Sequence, residues 1–250
     1  MSRIETIQNG SWTKFKSTFI AELFADNPFR RGDYIFRGQA CSEWRLEPSF
    51  DRCFKDLDRT SKIAVMEELL QFFRRECEGL GISQSILSDD LKTMALGQHY
   101  GLPTRLLDWT ESPYIASFFA FNDVMSTSVN SRDVAIWALD IRVKNIWSSD
   151  SGVKVVDVPP IENIRIRNQG GKFTLSNTPF SCLEEYVEHF DENTVALKRF
   201  LIPVTEFNRA LADLDAMGIN HSRVYPELIG CALAAKLRVM LERNLVCLIH

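Results

Sequence analysis

Met94-Ala-Leu-Gly-Gln-His-Tyr-Gly-Leu-Pro-Thr-Arg-Leu-Leu-Asp-Trp-Thr-Glu-Ser-Pro-Tyr-Ile-Ala-Ser-Phe-Phe-Ala-Phe121 sets a dense group of polar side chains between two apolar helical patterns. Gly101 and Pro103 end the first helix, because a proline pushes the residue before it out of the helical region. Thr104 to Thr110 is too short for a helix and is expected to form a strand. Side chains alternate along a strand, so Arg105, Leu107 and Trp109 share one face and Leu106, Asp108 and Thr110 the other. Ser112-Pro113 then marks a helix start, with Ser112 as cap and Pro113 at the first helical position, where a missing N–H costs nothing. The helix through about Phe121 is apolar nearly all round and is predicted to be buried.

A strand, a tight turn and a buried helix start form a floor suited to a ligand, since free N–H groups there attract anions. The alternative is a structural knot in which Arg105 and Asp108 satisfy buried backbone. Charged residues are rarely buried unless paired or used, which favours a site.

Upstream, Trp12, Phe15, Phe19 and Leu23 recur at helical spacing behind Ser11 as cap, a core-facing stripe. Tyr34-Ile35-Phe36-Arg37-Gly38-Gln39 reads as a short strand carrying one charge. An arginine beside a glycine that permits close backbone approach can offer its planar fork to phosphate or carboxylate. A structural ion pair is the other role open to Arg37. Residues 40–51 are expected to be an ordered loop. Ile63, Met66, Leu70, Phe73 and Cys77 predict a core-facing helix over 61–79, and Asp89-Asp90 caps the helix that enters the central stretch.

Downstream, Val134 to Ile141 has the continuous apolar run of a central strand. Residues 153–158 offer another. Arg165 and Arg167 alternate with isoleucines before Gly170-Gly171, suiting either a solvated edge or a phosphate-contacting rim. Leu183 to Phe190 is a short helix and Ala196 to Val204 a strand. Thr205 is expected to cap a helix holding Phe207, Leu211 and Leu214, closed by Gly218. Ile219 to Tyr225 is expected to be a loop, and Pro226-Glu227 to open a last helix through about Arg243, with Glu227 favoured in its first turn by the helix dipole.

With 45% hydrophobic and 25% charged residues, the composition is that of an ordinary globular protein. A net charge of -4 supplies no overall basic field toward nucleic acid or membrane. The chain starts without the apolar run of a signal peptide, and no stretch approaches the ~20 apolar residues that span a bilayer, which predicts a cytoplasmic protein. Six scattered cysteines with no Cys-x-x-Cys pair predict reduced thiols and no metal site. The pattern as a whole predicts one mixed α+β domain over 1–250, a central sheet flanked by helices.

The chain resembles the FRG domain family. The resemblance rests on Phe36-Arg37-Gly38, Gln39, Trp44, Leu46 and Pro48-Ser49, and most specifically on Gln98-His99-Tyr100-Gly101-Leu102-Pro103-Thr104-Arg105-Leu106-Leu107-Asp108-Trp109-Thr110. It continues through Ser112-Pro113, the Asn163 to Thr174 pattern and Gly218 to Leu228, covering about residues 30–235, with Tyr225 where the family usually has Phe. It implies a bacterial or mobile-element protein, sometimes associated with phage defence. Phe36-Arg37-Gly38 is also similar to the first motif of the Arg-Ser-Glu group of ADP-ribosyltransferases, which implies an ADP-ribosyltransferase-like fold with NAD as ligand. On that likeness Arg37 holds phosphate and ribose, Thr104 or Thr110 stands in for the serine, and Glu227 is the carboxylate that stabilises an oxocarbenium ion or orients the acceptor.

Together these considerations give His99, Asp108 and Glu227 as catalytic candidates. Arg37, Gly38, Gln39, Gln98, Thr104, Arg105, Thr110 and Gln169 are the cofactor-binding set. The enzyme alternative is NAD cleavage with ADP-ribose transfer to a protein or nucleic acid. The non-enzymatic alternative is a nucleotide-sensing or protein-binding module that uses Arg37, Gln98 and Arg105 as clamps. A nuclease ranks below both, because only His99 of the four histidines sits in the motif. Segments near 34–39, 98–110 and 165–174 are expected to converge on one cleft, since buried charges need partners.

Overall fold

Val134 to Leu139 is buried at every position, as befits a strand with hydrogen-bonded neighbours on both edges and helices on both faces. The computed structural model describes residues 2–24, 32–124, 131–147, 152–158, 170–190 and 194–243. In it this run is β4 (Asp133–Asp140), fourth strand of the chain but third across a seven-stranded sheet. The other strands are β1 (Ile4–Gln8), β2 (Tyr34–Gln39), β3 (Leu106–Thr110), β5 (Val153–Val156), β6 (Gly171–Ser176) and β7 (Leu197–Pro203). Their order is β1-β7-β4-β2-β3-β6-β5, with β1 and β7 parallel and every other pair antiparallel. The fold is therefore α+β, a mixed sheet flanked by helices.

Alternation along the strands divides the core. Ile35, Trp137, Leu139, Leu107 and Trp109 belong to one buried cluster, completed by α7 (Lys144–Trp147) through Ile146 and Trp147 and by α8 (Leu183–Glu188) through Leu183, Tyr186 and Val187. Phe36, Ile136, Ala138 and Phe200 belong to a second cluster beneath α1 (Trp12–Phe24), α6 (Pro113–Val124) and α9 (Phe207–Ala216). A third gathers Leu106 and Phe173 under α2 (Ser49–Cys53), α3 (Arg59–Glu76) and α5 (Asp90–His99). Directly paired residues share a face. The pairs Phe36 with Thr110 and Asp108 with Phe173 thus place the second and third clusters side by side on the same face. The gap between their helices lies over β2 and β3.

Local signals account for the element boundaries. Ser11 Oγ accepts from Lys14 N–H at 3.1 Å, Asp89 from Lys92 N–H at 3.1 Å, and Ser112 Oγ from Ile115 N–H at 3.3 Å, so all three predicted caps are made. The predicted aromatic stripe Trp12, Phe15 and Phe19 is buried, and Phe15 and Phe19 both meet Phe200 edge-on. Gly218 closes α9 at φ +75°, a left-handed conformation.

Four expectations are corrected, and two short elements were not anticipated. Thr205 caps nothing, because a 3-10 turn over Val204–Glu206 intervenes before α9; the Glu206 carboxylate instead accepts from the Trp12 N–H at 2.9 Å, tying α9 to the start of α1. The expected loop after Gly218 contains α10 (His221–Val224), capped by Asn220. Residues 40–51 run into the helical turn α2, and 81–88 contain α4 (Gln84–Leu87). On α3, Met66, Leu70 and Cys77 are buried, but Ile63 is 46% exposed and Phe73 only half-buried, since α5 covers a narrower stripe than the apolar spacing offered. Strand β1 was not anticipated. Its pattern is short, and its register with β7 spans most of the chain.

Gly38 brings α6 onto the sheet. A Cβ there would lie 1.9 Å from the Ala116 carbonyl oxygen and 2.9 Å from Ala120 N, both backbone atoms that a rotamer change cannot move. Gly38→Ala is expected to cost about 1–3 kcal/mol in urea unfolding, the usual penalty for overpacking. Gly10→Ala, where a Cβ meets nothing within 4 Å, should leave the midpoint within the small range typical of surface changes. Equal midpoints for the two variants would contradict this packing.

Candidate functional site

Where α5 and α6 part, a cleft of about 360 Å³ opens over β2, β3 and β6. Strand β2 contributes Phe36, Arg37 and Gly38, β3 Asp108 and Thr110, β6 Gly171 to Phe173, α5 Gln98 and His99, and α6 Ala116, Phe119 and Asp123, with Tyr225 at one side.

The opening has a cause in strand pairing. Among the described residues β2 and β3 share one register pair, Phe36 with Thr110. Beyond it the strands separate, and backbone groups there need other partners. Arg37 Nη1 donates to the Asp108 carbonyl oxygen at 2.7 Å, in the place a strand N–H would occupy, and lies 3.8 Å from the Asp108 carboxylate. Its side chain is 24% exposed, and its buried Nε has no hydrogen-bond partner among the described residues. Burial pushes the Arg37 pKa down, and Asp108 opposes that shift.

Asp108 is held from the other side by α5. Gln98 Nε2 donates to its carboxylate at 2.7 Å, and the Gln98 amide oxygen accepts from the Thr104 hydroxyl. Thr104, itself buried, thereby fixes the amide orientation and aims its N–H group at Asp108. The Asp108 side chain stays 63% exposed.

Two charged groups complete the site. Burial holds the Asp123 carboxyl above its ordinary range, although a hydrogen bond from Asn122 and the charge of Arg37 pull the other way. Lys172 suffers desolvation, but its contacts with Asp157 at 2.5 Å and Glu111 at 3.5 Å outweigh it and raise its pKa. Among the described residues, no group of three or more His, Cys, Asp or Glu is placed to hold a metal ion.

The expected convergence of the segments near 34–39 and 98–110 is met: Arg37, Gly38, Gln98, His99, Asp108 and Thr110 face one cleft. Four others lie elsewhere. Gln39 points to the opposite face of the sheet, accepting from Trp137 Nε1 at 2.7 Å and donating to the Arg45 carbonyl at 3.1 Å. Thr104 acts behind Gln98 and does not line the cleft. Arg105 is buried at 3% exposure, 3.5 Å from Asp51, and donates to the Thr178 carbonyl. Asp51, fully buried, also pairs with Lys62 at 2.8 Å. Burial, the ion pair with Asp51 and the bond to the Thr178 backbone make Arg105 a structural ion of the kind the knot alternative described. Glu227 occupies the N-cap position of α11 (Leu228–Glu242) without a side-chain cap bond, is exposed, and does not line the cleft. Gln169, Arg165 and Arg167 lie outside the described residues.

Asp123, Phe119, Lys172 and Tyr225 were not singled out from sequence as site residues. Asp123 had one signal, a carboxylate near the end of an otherwise apolar helix. Tyr225 reaches the site through α10, where it stacks on His221 at 6.3 Å between ring centroids. His221 is buried, bonds Asn122 Oδ1 through Nε2 at 2.5 Å, and has a buried Nδ1 without a partner among the described residues.

Residues 32–128 match the FRG domain family, so an FRG domain is present in the chain, containing both Phe36-Arg37-Gly38 and the Gln98 to Thr110 motif. The Asn163 to Thr174 and Gly218 to Leu228 parts of the resemblance lie beyond the matched stretch. No curated protein and no solved structure matches the chain.

Two measurements check these assignments. Arg105→Ala strands the Asp51 carboxylate beside Lys62 alone and is expected to cost about 3–5 kcal/mol of stability. Asp108→Asn, at an exposed group, should stay within about 1 kcal/mol; urea unfolding of the pair distinguishes structural from site charge. Burial lowers the His221 pKa from 6.5, so below that value the unfolded chain binds more protons than the folded one. Stability should therefore be full above pH 6.5 and fall as pH drops toward the depressed folded pKa. His221→Gln should remove that part of the acid slope, and an unchanged slope in the variant would show that His221 does not produce it.

Proposed function

We propose that the cleft binds a nucleotide through Arg37 and that NAD is its substrate, cleaved at the nicotinamide bond with water or a macromolecular side chain as acceptor. The observation that carries this is the Arg37 side chain. It is anchored to β3 by one nitrogen, and it lines the cleft with further donors on a planar fork suited to phosphate. The aromatic-Arg-Gly likeness to the Arg-Ser-Glu transferases supports the same ligand.

In this proposal Arg37 holds a phosphate, while carboxylates meet the positive charge that develops on the ribose as the glycosidic bond lengthens. Asp108 is the first candidate, because Gln98, itself held by Thr104, keeps its carboxylate oriented. Asp123 faces the same cleft and takes the place that the resemblance gave to Glu227, which does not line it. His99 and Thr110, which line the cleft, contact the ribose or the leaving base in this proposal. Cytoplasmic action in bacterial or phage conflict, implied by the family resemblance, belongs to the same proposal.

A second proposal is a nucleotide-sensing module without cleavage. It is favoured by the engagement of Asp108 with both Gln98 and Arg37, which stabilises the carboxylate before any ligand arrives.

Incubation with NAD labelled in the nicotinamide ring tests the first proposal. Released nicotinamide is expected, reduced at least about tenfold in both Arg37→Ala and Arg37→Lys, since lysine keeps charge but loses the fork. Arg37→Lys should retain its thermal midpoint. NAD or ADP-ribose binding by calorimetry without nicotinamide release would select the sensing module. An Arg37→Ala protein that is folded and fully active would remove this residue from the site.

A further inference from the structure

We propose that Tyr100, backed by His99, is a stacking platform at the cleft mouth for the planar base of a nucleotide whose phosphate reaches Arg37, an inference that rests on the nucleotide-binding proposal above. A cleft of about 360 Å³ is at the low end of the ~300–1,000 Å³ that drug-sized ligands occupy. A ligand the size of a dinucleotide extends beyond it, and its remainder meets whatever surface adjoins the opening.

That surface is aromatic. Helix α5 delivers Gln98 and His99 into the cleft and ends at Tyr100, whose N–H bonds the Gly97 carbonyl at 2.9 Å. His99 and Tyr100 meet edge-to-face, with ring centroids 5.0 Å apart and planes at 79°. His99 thus steadies the Tyr100 ring without covering its face, and Tyr100 remains 75% exposed. Gly101 follows at φ +91°, and a Cβ there would meet nothing within 4 Å. A large ring left uncovered beside a cleft that holds an arginine fork is how base-stacking surfaces are built, because every base presents a π-face.

The test compares AMP with ribose 5-phosphate, which share the phosphate and sugar and differ in the base, by calorimetric titration of wild type, Tyr100→Ala and Tyr100→Trp. Tyr100→Ala is expected to weaken AMP about tenfold, in line with single-base stacking, and to leave ribose 5-phosphate unchanged. Tyr100→Trp should restore AMP. Because the side chain is exposed, all variants should keep the wild-type thermal midpoint. If Tyr100→Ala binds AMP as tightly as wild type, the platform is wrong and nucleotide binding stands. If both ligands weaken equally, the residue shapes the cleft and does not stack the base, which also overturns the platform. Failure of wild type to bind either ligand removes the nucleotide proposal and the platform with it.

Discussion

The contact between Gly38 and the Ala116 carbonyl determines how closely a helix can approach the sheet. With no side chain at Gly38, α6 rests its backbone against β2, and any Cβ there would collide with main-chain atoms. That approach places Ala116, Phe119 and Asp123 over the same strand that carries Arg37. It also sets the width of the gap across to α5. A helix lifted by one methyl group would draw Asp123 away from the guanidinium and change the electrostatics of the whole cleft, since interiors shift as packed units.

The sheet and the cleft answer one another in a second way. β2 pairs fully with β4 but meets β3 at a single register position. An interrupted ladder would ordinarily leave unsatisfied backbone groups. Arg37 resolves this at the Asp108 carbonyl and keeps part of its guanidinium for the cleft. The residue is therefore both bonded to β3 and part of the cleft lining. Arg105 shows the contrasting outcome: buried beside Asp51 and bonded to Thr178, it organises the join between α2, α3 and β3 and offers the cleft nothing.

Support for the site comes in layers. Thr104 fixes Gln98, Gln98 fixes Asp108, and Asp108 faces Arg37. On the far side, His221 and Phe119 pack around Tyr225. Buried charge and buried polar atoms are costly unless satisfied, whereas the Asp108 and Tyr100 side chains stay exposed.

How much was legible beforehand follows from the range of each interaction. The caps Ser11, Asp89 and Ser112, the aromatic stripe from Trp12 to Phe19 and the buried run from Val134 are contained within a few residues, so the sequence by itself determined them, along with the FRG motifs and the α+β class. Thr205 failed as a cap because the turn that contains it depends on where β7 delivers the chain, and β1 was missed because its pairing lies with residues near 200. The face on which Gln39 points, the burial of Arg105, the distance of Glu227 from the cleft and the arrival of Asp123 and Tyr225 in it were decided only by the tertiary structure. Each depends on strand order, register and the approach of α6 to Gly38, contacts between residues far apart in the chain that no local spacing encodes.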